Sequence, residues 1–222
     1  MSWRSNLLIL SSCLCLAAPV AALTVDLSAE ASVAAPNDLV RATVAADVAG
    51  ATPAQLAAKA NSAIAEGLRI AKAYPAVKAR TGGVHSFPVY GKNGQIESWR
   101  MRSELLLESR DAATMGELLG KLQANLLMAG LSAAPAPETR SKAEERAILD
   151  AIATFHARAK VVAGTFGKPY RIKSLSVSTQ GGPVMPMFKA QRMALAEAAP
   201  APVEAGESQV TAVVSGQIEI TD

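Results

Sequence analysis

Three methionines, Met185, Met187 and Met193, gather in one stretch of this 222-residue chain, and thioether sulfur is a soft donor suited to Cu(I). They are the candidate metal ligands. Neither histidine nor cysteine stands near them to complete a site, and an apolar loop packed on a neighbour uses methionine in the same way. The two histidines, His85 and His156, lie far apart in sequence without a partner at ligand spacing, so each reads as a surface or packing residue. Glu144, Glu145 and Asp150 share one helical stretch and could supply paired carboxylates for proton transfer. Interleaved with Lys142 and Arg146, they read more simply as a solvated face laced with ion pairs. No Ser, His and Asp set stands at a nucleophile elbow, and Gly82-Gly83 lacks the strand-loop-helix setting of a phosphate loop. The expectation is therefore a protein without catalytic residues or a bound cofactor. The alternative is a copper- or small-molecule-binding module using the Pro/Met/Ala-rich loop 180–206.

Residues 1–22 read as a signal peptide, with Arg4 in a short n-region, an apolar run from Leu7 to Ala18, and small residues through Val20-Ala21-Ala22. The run is too short to cross a membrane and is broken by Pro19. We place cleavage after Ala22. Leu10-Ser11-Ser12-Cys13 also spells a lipoprotein processing box, which would put lipid on Cys13 and leave a very short leader. Both cysteines, Cys13 and Cys15, lie in the discarded segment. The mature chain, 23–222, is thiol-free, which suits an oxidising periplasm and excludes cysteine catalysis and zinc-thiolate sites.

The chain carries 22 basic and 19 acidic residues, for a net charge of +3. Loss of the leader removes one base, Arg4, and no acid. Near-neutrality argues against a nucleic-acid partner. Half of the residues are hydrophobic but only 4% are aromatic, so the core must be assembled from small side chains in close helix-on-sheet packing.

These residues need elements to hold them. Leu23, Val25, Leu27 and Ala29 alternate with polar neighbours, and after Ala35-Pro36-Asn37-Asp38 the pattern resumes at Val40, Ala42, Val44, Ala46 and Val48. Two antiparallel strands are the simplest reading. Thr52-Pro53 opens a first helix, with Leu56, Ala60, Ala63, Gly67, Leu68 and Ala71 on one stripe. The stretch Val77–Tyr90 has the marks of a bulged or edge strand at Gly82-Gly83 and Pro88, and Gly91-Lys92-Asn93-Gly94 signals a hairpin. The returning strand puts Trp99, Met101, Ser103, Leu105 and Leu107 on one face.

Asp111 can cap a second helix bearing Met115, Leu118, Leu119, Leu122 and Leu126, which Gly130 stops. A short extended piece then leads to a third helix. There Ser141 and Glu144 form a capping box before Ile148, Ile152, Phe155, Ala159, Val162 and Phe166, and Gly167-Lys168-Pro169 ends it. Strands follow at Tyr170–Ser178 and from Val210 to Ile220. The order is ββα-ββα-β-α-ββ, an α+β class with a mostly antiparallel sheet and three amphipathic helices. The alternating strands do not signal a membrane barrel, given three helices and about seven strands.

Several segments together resemble the bacterial SIMPL-domain family: Pro36-Asn37-Asp38, Trp99-Arg100, Met115-Gly116-Glu117-Leu118-Leu119, Ala157-Arg158-Ala159-Lys160, Phe166-Gly167-Lys168, Leu175-Ser176-Val177-Ser178 and the approach Pro202–Glu207 to the last strand. Met101-Arg102 departs from the family pattern. The resemblance implies an exported protein of the periplasm or outer membrane, linked to protection against oxidative stress, that builds large homo-oligomers. It implies no catalytic residue. Arg158 and Lys160 read on their own as a cation pair complementing the C-terminal dipole of the third helix. Peripheral contact with the envelope would come through oligomer surfaces or the 180–206 loop.

Overall fold

A computed structural model describes residues 23–179 and 206–221; the leader and the methionine-bearing segment lie outside them. Seven strands and three helices follow one another as β1 (Leu23–Pro36), β2 (Leu39–Gly50), α1 (Pro53–Ala71), β3 (Val77–Tyr90), β4 (Ile96–Ser109), α2 (Ala112–Leu122), β5 (Leu127–Ala134), α3 (Pro137–Phe166), β6 (Tyr170–Thr179) and β7 (Glu207–Ile220). The α+β class and the order of elements are those read from the sequence. The strands form two antiparallel sheets, β1-β7-β6 and β3-β4-β2-β5, where the alternation suggested a single layer.

The split falls between β1 and β2, which do not pair with each other. β1 runs the whole length of β7, Leu23 opposite Ile220 and Pro36 opposite Glu207. β2 instead lies between β4 and β5. The two-residue link Asn37-Asp38 carries the chain from one sheet to the other. Adjacency in sequence favoured a hairpin here, but the apolar faces of β1 and β2 match different helices.

The four-stranded sheet packs α1 and α2 on one face. Val40, Ala42, Val44, Met101, Leu105 and Leu107 meet Leu56, Ala60, Ile64 and Met115, Leu118, Leu122 in one buried cluster. Burial of these side chains, at about 25 cal/mol per Å² of apolar surface, is what holds the layer together. Thr52 stands at the N-cap of α1 without a side-chain bond, and Pro53 fills the first turn. α2 ends at Leu122, earlier than Gly130: Gln123 closes its last turn on Leu119, and Leu126 enters the core from the connection to β5. Gly130 lies within β5, paired with Thr43. The β3–β4 hairpin turns at Gly91–Gly94, with Gly94 at φ 75° and the Asn93 carboxamide oxygen accepting from the Gln95 N–H at 3.2 Å. Its register shifts between Thr81 and Val84, where Gly82-Gly83 makes the expected bulge.

Among the described residues, α3 is the helix that covers the three-stranded sheet. The sequence put Ile148, Ile152, Val162 and Phe166 at the seam, but the buried line is Ala143, Ala147, Ala151, Phe155, Ala159 and Ala163. Closest approach decides this. Alanines let the helix axis sit near Ala29 and Ala212, while Ile148, Ile152 and Val162 flank the line partly buried and Phe166 is half exposed. Steps of four residues advance about 40° past a full turn, so the line precesses around the helix as the twisted strands pass beneath it. Gly167, at φ 63°, ends α3 in the left-handed conformation that the sequence signalled.

Candidate functional site

A cluster of polar residues lies where the chain crosses between sheets. Asn37 is 2% exposed; its side-chain oxygen accepts from the Ser208 hydroxyl at 2.6 Å, and its N–H donates to the Gly206 carbonyl at 3.1 Å. Gly206 turns the chain into β7 at φ 60°, a conformation open to glycine. Asp38 reaches the other way. Its carboxylate accepts from the Ala136 N–H and from the Thr139 hydroxyl, both at 2.6 Å. Ala136 is the N-cap of α3 and has no side-chain acceptor, and Pro137 follows it. Asp38 therefore does from a distant strand what the acidic residue of a capping box does locally, satisfying the N-cap N–H. The Ser141–Glu144 box expected from sequence sits inside the helix instead, where Glu144 pairs with Arg140 at 2.8 Å.

The Ala136 N–H, then the Thr139 hydroxyl, hold the Asp38 carboxyl below the ordinary aspartate range against the opposing effect of burial, and Arg110 adds a smaller pull. This cluster is chemically a clamp. Its bonds run from Ser208 to Asn37 and from Ala136 and Thr139 to Asp38, tying β7 and α3 to the crossing.

A second polar surface is the helix-free face of the four-stranded sheet. Arg100 grips Asp47 through two bonds of 2.7 and 2.6 Å. Arg41 meets Glu108 at 2.9 Å and Arg102 meets Glu104 at 3.2 Å. The hydrogen bond from Arg100 lowers the Asp47 pKa, with burial opposing and the charges of Arg100 and Arg102 adding to it. The first two cross from β4 to β2 and the third lies along β4 itself, all on an open face and individually weak. A shallow groove of about 450 Å³ between α1 and β3 has Leu68, Val77 and Ala79 in its lining, together with Arg69 and Lys72. Glu66 holds Arg69 through two bonds, so the groove offers no convergent polar set.

The sequence candidates are dispersed. His85 is exposed on β3, its ring stacked on Phe87 with centroids 6.2 Å apart. His156 is exposed on α3 and meets Phe155 edge-on. Asp150 pairs with Arg146 at 3.1 Å, and Glu145 is exposed on the same helix. Among the described residues no three His, Cys, Asp or Glu side chains converge as a metal site would require. Met185, Met187 and Met193 lie outside the described residues, as does the leader with Cys13 and Cys15. Arg158 corrects one reading: α3 continues to Phe166, so Arg158 and Lys160 precede the last turn, and the Arg158 guanidinium donates to the Ser28 carbonyl of β1. Sequence reasoning missed the roles of Asn37, Asp38 and Ser208. A helix opening Ala136-Pro137 without its own cap was the available signal.

The site thus defines a structural class: a two-sheet α+β protein whose conspicuous polar residues fasten its layers. The family model for SIMPL, a protein of unknown function (DUF541), matches residues 25–218. The chain belongs to the SIMPL family. No curated protein matches it. Solved structures similar to part of it include a candidate amidohydrolase/peptidase from Burkholderia cenocepacia, at 15% identity and a TM-score of 0.26 over 48% of this chain and 28% of that one. Another is AtUAH in complex with glyoxylate, at 16% identity and a TM-score of 0.26, over 50% of this chain and 28% of that one. The chain thus spans about a quarter of the length of these two structures, and likeness at that level carries no argument about activity.

Proposed function

We propose that this protein is a non-catalytic, self-assembling component of the bacterial envelope. In this reading it is exported to the periplasm, released by cleavage after Ala22, and works as a scaffold or stress-protective module. The observation that carries the reading is the contrast between a spent interior and an unspent rim. The clustered polar groups clamp the two sheets, whereas Leu127, Met128 and Leu131 on β5 and Leu175 and Val177 on β6 stand at least 40% exposed along strands at sheet edges. Apolar side chains beside an open edge are surfaces that an isolated monomer would have to shield. Association with the outer membrane would follow from the assembly, since no helix among the described residues is long and apolar enough to cross a bilayer.

Size-exclusion chromatography with light scattering on the exported protein tests the assembly, and N-terminal sequencing of the same sample tests the cleavage. A multiple of the mature chain mass and an N-terminus at Leu23 are expected. A clean monomer would end the proposal.

A further inference from the structure

The two sheets have four edges, and three of them are guarded. β3 carries Lys78 and Arg80, the Gly82-Gly83 bulge and Pro88. β6 carries Arg171 and Lys173 and a register shift between Ile172 and Ser174. β1 carries Asp26 and Glu30, and Arg158 occupies its Ser28 carbonyl. Charges, bulges, proline and covering groups are the devices that keep a strand edge from pairing with another chain.

Among the described residues, β5 has almost none of them. Its eight residues, Leu-Met-Ala-Gly-Leu-Ser-Ala-Ala, contain no charge and no proline, and the first six are exposed. The one irregularity lies at Ala129, between Met128 opposite Val44 and Gly130 opposite Thr43. From Gly130 to Ala134 the strand pairs with β2 without interruption.

We infer that β5 is the edge through which a second copy of this chain docks, antiparallel across a two-fold axis, joining two four-stranded sheets into one of eight strands; this rests on the self-assembly proposed above. Charge selects the edge that can meet a second copy of itself. In a two-fold pairing each strand meets its own sequence, so a basic edge such as β3 or β6, or an acidic one such as β1, would set like charges together. β5 meets itself without that cost.

Side-chain direction then sets the register. Leu131 and Ala133 share the helix-bearing face with their partners Ala42 and Val40, while Gly130, Ser132 and Ala134 share the open face with Thr43, Arg41 and Leu39. Opposed residues in an antiparallel pair point to the same face. Centring the axis on Ser132 obeys this: Gly130 opposes Ala134, Leu131 opposes Ala133, and the whole regular run is paired. Leu131, 40% exposed in the single chain, gains apolar neighbours on the helix-bearing face.

The test uses Ser132, which is exposed and belongs to no buried contact, so its replacement leaves the fold intact. Ser132→Lys and Ser132→Glu each place two like charges face to face across the axis. Each variant alone should show a lower mass by light scattering than the wild type, with unchanged circular dichroism, and an equimolar mixture of the two should recover the wild-type mass. Wild-type mass in both single variants would overturn the β5 pairing while leaving self-assembly standing. Failure of the mixture to recover would also overturn it, as an extended segment of another protein at this edge would give no such rescue. A monomeric wild type would overturn both proposals.

Discussion

Replacing Asp38 with alanine removes in one step the two bonds that tie the β1–β2 crossing to α3, each 2.6 Å long. Loss of a helix N-terminal cap costs about 1 kcal/mol, and a hydrogen bond to a charged acceptor contributes about 1.5–3 kcal/mol. Asp38 is half-buried, so water partly replaces it at both donors. The net loss should be about 2 kcal/mol, a fall of about 4–8 °C in Tm for a chain of this size. The sign of the pH dependence follows from the depressed pKa. The ordinary aspartate value is about 3.9, and the folded value lies lower because the Ala136 N–H and the Thr139 hydroxyl favour the charged form. The stabilisation is therefore complete above the unfolded-state pKa and is lost as pH falls through the folded one.

Urea denaturation of wild type and Asp38→Ala, followed by far-UV circular dichroism from about pH 7 down to about pH 2.5, reads this directly. Other carboxylates titrate too, Asp47 and Asp111 among them with lowered pKa values, but they do so in both proteins and cancel in the difference. The gap should be widest near neutrality and narrow with acid. A gap that is constant or grows toward low pH, or one below about 0.5 kcal/mol at neutrality, the lower limit for a cap, would refute the clamp.

Asn37→Ala strands the buried Ser208 hydroxyl and should cost about 1–3 kcal/mol in urea denaturation, with Ser208→Ala adding little in the double variant because the two form one pair. Gly216→Ala places a Cβ 2.3 Å from the Ser174 carbonyl oxygen; the backbone must move, and hydrogen exchange of β6 amides should accelerate while those of β4 do not change. Ala159→Leu inserts three carbons where α3 is fully buried and should destabilise by about 1–3 kcal/mol through overpacking, measured by thermal denaturation.

What could be read ahead of the structure was what depends on neighbours in sequence. The alternation through Met101, Ser103, Leu105 and Leu107 stood out because one face of β4 is buried and the other wet. Gly94 and Gly167 announced their turns because both need positive φ. The buried face of α3 was misread for a physical reason. Periodicity weights large apolar residues, whereas the line of closest approach selects alanine and moves bulk to its flanks. Strand partners were hidden for another: β1 and β7 pair along fourteen positions, yet their ends are nearly 200 residues apart, and nothing local distinguishes that choice from a hairpin with β2. The clamp was hidden likewise, since Asp38 acts about 100 residues down the chain.

The two apolar clusters explain why that clamp falls where it does. The larger is built by α1, α2 and the four-stranded sheet, and the other by α3 and the three-stranded sheet, with no buried residue in common. A third, small cluster of Ala35, Ala143 and Val210 sits beside the crossing. A three-stranded sheet under one helix buries little surface by itself, and hydrophobic burial has no direction with which to orient one layer on another. Directional bonds do. Asn37 fixes the start of β7 and Asp38 the start of α3, so two consecutive side chains set the positions of the strand and the helix that close the smaller core. Substitutions of the ion-paired residues on the open face, such as Arg41 and Glu108, should change little beyond surface charge, and substitutions at these two positions should change how firmly the smaller layer is held.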